Sequence, residues 1–193
     1  MSKRIALLSA AAFSALALTA TIVAPVSAQD KMKSEMSGEK TVMVGGAAMF
    51  PSKNIIQNAV NSKDHTTLVA AVKAAGLVET LEGKGPFTVF APTNAAFGKL
   101  PAGTVDTLVK PENKATLTKI LTYHVVPGRL DAASLTDGKK LKTVQGEELT
   151  VKRSGDTVMI IDAKGGSSTV TIPNVNQSNG VIHVVDTVLM PAS

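Results

Sequence analysis

Cysteine and tryptophan are absent from this 193-residue chain, and tyrosine occurs once. Without cysteine there is no disulfide framework, and a lipid-modified cysteine at a processing site is excluded, so an exported domain of this kind must be held by its core alone. With five phenylalanines and one tyrosine there are few platforms on which bases could stack, which argues against nucleic acid as a partner. Calcium-loop and zinc-ligand spacings are missing as well. Acidic residues number 15 against 20 basic ones, a mild positive surplus of +5 that loses two units if Lys3 and Arg4 are removed.

Those two residues open a stretch with the pattern of a secretory signal: charge, then an apolar run from Ile5 to Val23, then the small residues Val26-Ser27-Ala28. Ser9, Ser14, Thr19 and Thr21 dilute the run and Pro25 breaks it, so cleavage after Ala28 is expected. The product would be periplasmic or extracellular, and it would touch the membrane only if this segment were retained. Residues 29–50 show no clean period before Thr41 and are rich in charge and small residues, which predicts a flexible lead-in to a folded part at 51–193. Met32, Met36, Met43 and Met49 fall in that lead-in. Thioethers suit a soft ion such as Cu(I), although no histidine or cysteine joins them.

In "DHTTLVAAVKAAGL", Leu68, Ala71, Val72 and Ala75 share one helical stripe. Asp64 is placed to cap the start, with His65 beside it on the surface, while Gly76 and Leu77 suit a Schellman stop folding back on Val72. A second helix is expected over "KPENKATLTKILTYH", where Leu117, Ile120, Leu121 and His124 line one face. His124 at the end of that stripe reads as a buried, hydrogen-bonded residue. From Leu141 the period changes to two, Ser154-Gly155-Asp156 marks a turn, and Asn179-Gly180 is a hairpin signal before a strand apolar on both faces. That strand should be central, with His183 buried in it. Helices early and strands late predict an α+β domain with a helical layer on an antiparallel or mixed sheet.

"FTVFAPTNAAF", Phe87 to Phe97, runs an apolar strand through Pro92, Thr93 and Asn94 straight into a short helix. Thr93 as a nucleophile would need a base and an oxyanion site, and no Gly-x-Ser-x-Gly elbow, catalytic cysteine or paired-carboxylate motif accompanies it. The stretch is better read as a corner in which Phe87 and Phe90 are buried, Pro92 ends the strand, Thr93 or Asn94 caps the helix, and Phe97 returns to the core.

Together, this stretch, Tyr123-His124 and "NGVIHVVDTVLMP" (Asn179 to Pro191) closely resemble, in order and spacing, the signature segments of fasciclin-like domains. The likeness spans about Pro51 to Pro191. It implies a compact wedge of β-strands with several helices packed along it, and a secreted or surface-attached adhesion module with neither catalytic activity nor cofactor. It also implies a structural role for Phe87, Phe90, Pro92, Thr93, Asn94, Phe97, Asn179, Gly180 and His183, and an interaction role for Tyr123-His124, the dipeptide around which some animal relatives are thought to engage integrins. The Asp-Ile pair of some animal members reads Asn174-Val175 here, which removes the charge. The expected function is therefore a monomeric exported module that binds an envelope or extracellular protein or polysaccharide. A small-ligand or soft-metal carrier and a secreted signalling factor are the alternatives.

Overall fold

The computed structural model describes residues 40–192, so the signal-like segment and Met32 and Met36 lie outside the described residues. The expected flexible lead-in needs correcting at its C-terminal end. Strands β1 (Val42–Val44) and β2 (Ala47–Met49) pair antiparallel across Gly45-Gly46, whose φ values of 57° and 75° are those of a tight hairpin turn. Val44 and Met49 are buried in the main core, so this hairpin belongs to the domain. Register places Met43 on the opposite face from Met49, and their exposures of 59% and 3% give no shared thioether site.

Short helices follow: α1 (Ile55–Ala59), α2 (Thr66–Ala75) and α3 (Val78–Glu82). Strand β3 (Phe87–Pro92) leads into α4 (Asn94–Gly98), α5 (Thr104–Leu108) and α6 (Lys114–Tyr123). The remaining strands are β4 (Val125–Pro127), β5 (Lys140–Lys142), β6 (Glu148–Ser154), β7 (Thr157–Ile161), β8 (Ser167–Gln177) and β9 (Gly180–Val185). The seven strands β3 to β9 form one mixed sheet in the order β4-β3-β9-β8-β7-β6-β5, in which only the β3–β9 pair is parallel. Its two edges approach each other, and the Val144 N–H donates to the Val125 carbonyl at 2.8 Å, so the sheet is nearly closed. The fold is α+β, as the sequence predicts.

Both faces of β3 and β9 are covered, which explains why apolar residues fall on both sides of each strand; Thr88 and His183 are the buried polar residues among them, and Phe87, expected to be buried, is half-buried. On one face Val89, Ala91, Ile182 and Val184 meet the helical layer through Leu68, Val72, Leu117 and Leu121. On the other, Phe90 and Val185 join Leu135, Leu149, Val151 and Ile160 inside the curled half of the sheet. Helix α2 ends as its sequence demands: Gly76 is left-handed at φ 73°, and the Leu77 N–H bonds back to the Val72 carbonyl at 3.0 Å.

Candidate functional site

The strand-to-helix corner is architectural. Thr93 takes the extended conformation of an N-cap, and its Oγ1 accepts the Ala96 N–H at 3.2 Å, so its hydroxyl is spent on the start of α4. Asn94 reaches across the fold instead. Its Oδ1 accepts the Thr67 N–H at 3.0 Å and the Thr66 hydroxyl at 3.2 Å, and its Nδ2 donates to the Lys63 carbonyl at 2.8 Å. Asn94 thus supplies the cap of α2 that the sequence assigns to Asp64. The reason is local: Lys63–His65 winds as a 3₁₀ turn, which leaves Asp64 within that turn, one residue before the N-cap position held by His65.

His65 is a second correction, being 3% exposed rather than on the surface. Its Nδ1 lies 2.9 Å from Ser62 Oγ, while its Nε2 has no hydrogen-bond partner. Burial lowers its pKa against the opposing pull of the Ala91 backbone and Asp64.

Tyr123 and His124 are both inside the molecule, at 0% and 2% exposure. The Tyr123 hydroxyl donates to the Glu148 carbonyl at 3.2 Å and accepts the Ala163 N–H at 2.8 Å, pinning β6 and the loop after β7 to the end of α6. His124 Nε2 accepts the Leu189 N–H at 3.0 Å, which fixes the proton on Nδ1, where it is donated to the Ile120 carbonyl at 2.8 Å. Complete burial lowers its pKa from 6.5 to about 4, so the ring is neutral at pH 7. Neither side chain has surface to offer a partner directly. Replacing Tyr123 by Phe leaves the Ala163 N–H unpaired and should cost about 1–3 kcal/mol, read as a lowered melting temperature with an unchanged circular dichroism spectrum.

The last motif is equally internal. Asn179 Oδ1 accepts the Ile55 N–H at 3.1 Å, and its Nδ2 donates to the Leu81 and Gly83 carbonyls at 2.6 and 3.0 Å. One side chain thereby joins the start of α1, the end of α3 and the β8–β9 turn. The turn residues are Ser178 and Asn179, because Gln177 pairs with Gly180, and Gly180 is already strand. His183 donates from Nε2 to the Leu130 carbonyl at 2.8 Å and accepts the Asn174 N–H on Nδ1 at 3.3 Å. Its ring stacks on Phe90 with centroids 5.7 Å apart, and the Phe90 N–H donates to the His124 carbonyl at 2.9 Å. The three sequence motifs therefore converge on β3 and are consumed in one structural knot.

A polar concavity remains where β8 is irregular. Pro173 cannot donate to a ladder, and the register of β8 against β9 slips between Ile172 and Val175 to accommodate it. Within that bulge Asn174 has φ 58°, the one non-glycine residue with positive φ among the described residues. Its Oδ1 accepts the Ala132 N–H at 2.7 Å, and Arg129 Nη2 donates to Asn176 Oδ1 at 2.8 Å. Lys40, Arg129, Asp131, Asn174 and Asn176, with Val42 and Met49 behind them, line a cleft of about 530 Å³. Two hydrogen bonds from Ser134 and the proximity of His183 lower the pKa of Asp131, leaving two cations, one anion and two amides around the opening. Of these, only Asn174 falls in a stretch marked by the sequence resemblance. Pro173 inside a strand was the available signal of a bulge. Among the described residues no cluster of His, Asp and Glu is arranged to hold a metal, and no helix is long and apolar enough to cross a membrane.

The family model described as the Fasciclin domain matches residues 63–191. The chain belongs to the fasciclin family. Protein sll1483 of Synechocystis sp. is 50% identical over 153 residues, covering 79% of this chain and 82% of its own. The immunogenic protein MPB70 of Mycobacterium bovis is 41% identical over 138 residues, 69% of this chain and 66% of its own. The cell surface glycolipoprotein MPB83 of the same species is 40% identical over 153 residues, 77% of this chain and 64% of its own. The fasciclin fold is matched at a TM-score of 0.65 and 19% identity by a FAS1 domain pair from the insect cell adhesion molecule fasciclin I, over 73% of this chain and 52% of that one. The fasciclin domain here thus has relatives described as cell-surface and immunogenic proteins, and its signature residues serve the framework on which the β8 cleft is mounted.

Proposed function

We propose that this fasciclin domain is an exported, non-enzymatic adhesion or interaction module that holds a protein or polysaccharide of the envelope or a neighbouring surface in the cleft at the β8 bulge. The observation that carries this reading is the division of labour among residues. Tyr123, His124, Asn179 and His183 are buried and spend their polar groups on backbone partners. Lys40, Arg129, Asp131, Asn174 and Asn176 surround an open concavity, where the bonds to Ala132 and Ser134 and between Arg129 and Asn176 hold the last four in place at its opening. Amides and a guanidinium beside a carboxylate suit sugar hydroxyls and the charged side chains of a protein partner alike. Thr93, the one residue considered as a nucleophile, is a helix cap, and this supports a non-enzymatic role.

The signal-like residues 1–28 and the surface-located relatives support export. Fractionation of cells expressing the full chain is expected to place it in the envelope or medium, with envelope retention lost when residues 51–193 are deleted. Retention that survives the deletion would count heavily against the domain as the adhesive part.

A further inference from the structure

One imidazole ties together two walls of the β8 cleft. The Leu130 carbonyl can only accept, so its 2.8 Å contact with His183 puts the proton on Nε2 and leaves Nδ1 to accept the Asn174 N–H at 3.3 Å. Leu130 lies between Arg129 and Asp131 on one wall, and Asn174 sits in the bulge that forms the other. The ring itself is fully buried and stacked on Phe90.

A second proton would treat these two bonds differently. Nε2 still donates to Leu130, more strongly for the added charge. Nδ1 becomes a donor, and it would then face the Asn174 N–H donor to donor. Asn174 holds a left-handed backbone with φ 58°, which a residue with a side chain adopts reluctantly, so it yields before the packed ring does. Its Oδ1 still accepts the Ala132 N–H at 2.7 Å, so the bulge stays tethered while its backbone lets go.

Asp131 is the charged group that acts on the ring, and it favours the protonated form. Its hydrogen bonds from Ser134 keep it ionised as acid is added. The strands around His183, β3, β4, β8 and β9, carry no other titratable side chain, and the remaining charges lining the cleft are Lys40 and Arg129. Burial opposes Asp131 and keeps the ring neutral at pH 7, so the change belongs to the acid side of pH 6.5. We propose that His183 is an acid-operated latch on the cleft: a proton taken up at Nδ1 expels the Asn174 N–H, releases the β8 bulge and lets the bound partner go. Its use rests on the proposed binding role of the cleft, but the latch itself works with no partner present.

The test is an NMR titration of the full chain from pH 7 downward, following the His183 ring nitrogens and the backbone amides of Asn174 and Ala96. Ala96, whose N–H is held by Thr93 at the start of α4, reports global unfolding. The Asn174 amide is expected to shift with the midpoint of the His183 ring and to lose roughly tenfold of its protection from exchange, corrected for the intrinsic effect of pH, while Ala96 stays unchanged. Asp131→Asn keeps an acceptor for Ser134 but removes the charge, so it should move the ring and the Asn174 transition together to lower pH. His183→Gln, whose amide donates and accepts without titrating, should leave Asn174 indifferent to acid; if this variant does not fold, Asp131→Asn still decides. Three results would overturn the latch: Asn174 and Ala96 changing together, an Asn174 amide unmoved as the ring titrates, or an Asn174 transition in Asp131→Asn that does not follow the ring. Because no partner takes part, a failed latch leaves the binding role of the cleft standing, and a cleft that recovers no partner leaves the titration unchanged.

Discussion

Between pH 7 and pH 4.5 the domain is expected to lose much of its stability, with the melting temperature falling by roughly 10 °C. The cause is histidine burial. In the unfolded chain each histidine takes up a proton below about pH 6.5, whereas folded His124 resists until about pH 4. Over that window the unfolded state binds more protons, so acid favours unfolding. Stability is complete above pH 6.5 and declines progressively down to about pH 4. Two and a half pKa units correspond to about 3 kcal/mol from His124 alone, a large share of a typical folding free energy of about 5–15 kcal/mol. Burial lowers His65 and His183 too, and both act with the same sign. Calorimetry at half-unit intervals measures the slope, and His124→Gln should lower stability at pH 7 while flattening the acid dependence. A melting temperature constant from pH 7 to pH 4.5 would mean that the histidines are not buried as neutral rings.

Gly180→Ala should prevent folding or come close to it. An added Cβ would sit 2.1 Å from the Phe87 carbonyl oxygen and 3.0 and 3.1 Å from the Phe87 carbonyl carbon and nitrogen, all of them backbone of the paired strand. No side chain can swing away to make room. Relief would require parting β3 from β9, the parallel pair in the interior of the sheet, at a cost of about 3 kcal/mol or more. The glycine is needed for space and not for its dihedral, because its φ is not among the positive ones. Gly155 makes the contrast, since its φ is 59° and its Cβ position is open. Gly155→Asn should therefore cost less than about 1 kcal/mol, asparagine tolerating the left-handed region. Chemical denaturation of both variants compares them directly, and a well-folded Gly180→Ala would contradict the close β3–β9 approach.

Periodicity made the large elements legible. The stripe Leu68, Ala71, Val72 and Ala75 is the buried face of α2, the stripe ending in His124 is that of α6, and the two-sided apolar run at Val181 to Val185 is indeed central. The β1–β2 hairpin escaped because three-residue strands carry too little period, although Gly45-Gly46 between apolar pairs was a usable turn signal. Asn94 as the cap of α2 is not legible in the sequence, because the oxygen that accepts the Thr67 N–H lies 27 positions away along the chain. The same holds for the cleft: Lys40, Arg129, Asp131, Asn174 and Asn176 come from three distant segments that only the folded sheet brings together. The burial of His65 is not legible in the sequence, because it ends a 3₁₀ turn and lies on no apolar stripe.

The most direct test of the account is partner recovery from envelope and culture-supernatant fractions, comparing wild-type protein with Arg129→Ala/Asn176→Ala and with Tyr123→Phe, each melt recorded alongside. Loss of at least tenfold in recovery is predicted for the Arg129/Asn176 variant with its melting temperature unchanged, as expected when a few contact residues dominate binding. Tyr123→Phe should bring down the same partner at the wild-type level despite its lower melting temperature. The reverse pattern, with recovery lost on removing the Tyr123 hydroxyl and kept without the cleft side chains, would contradict the account and move the contact surface to the end of α6.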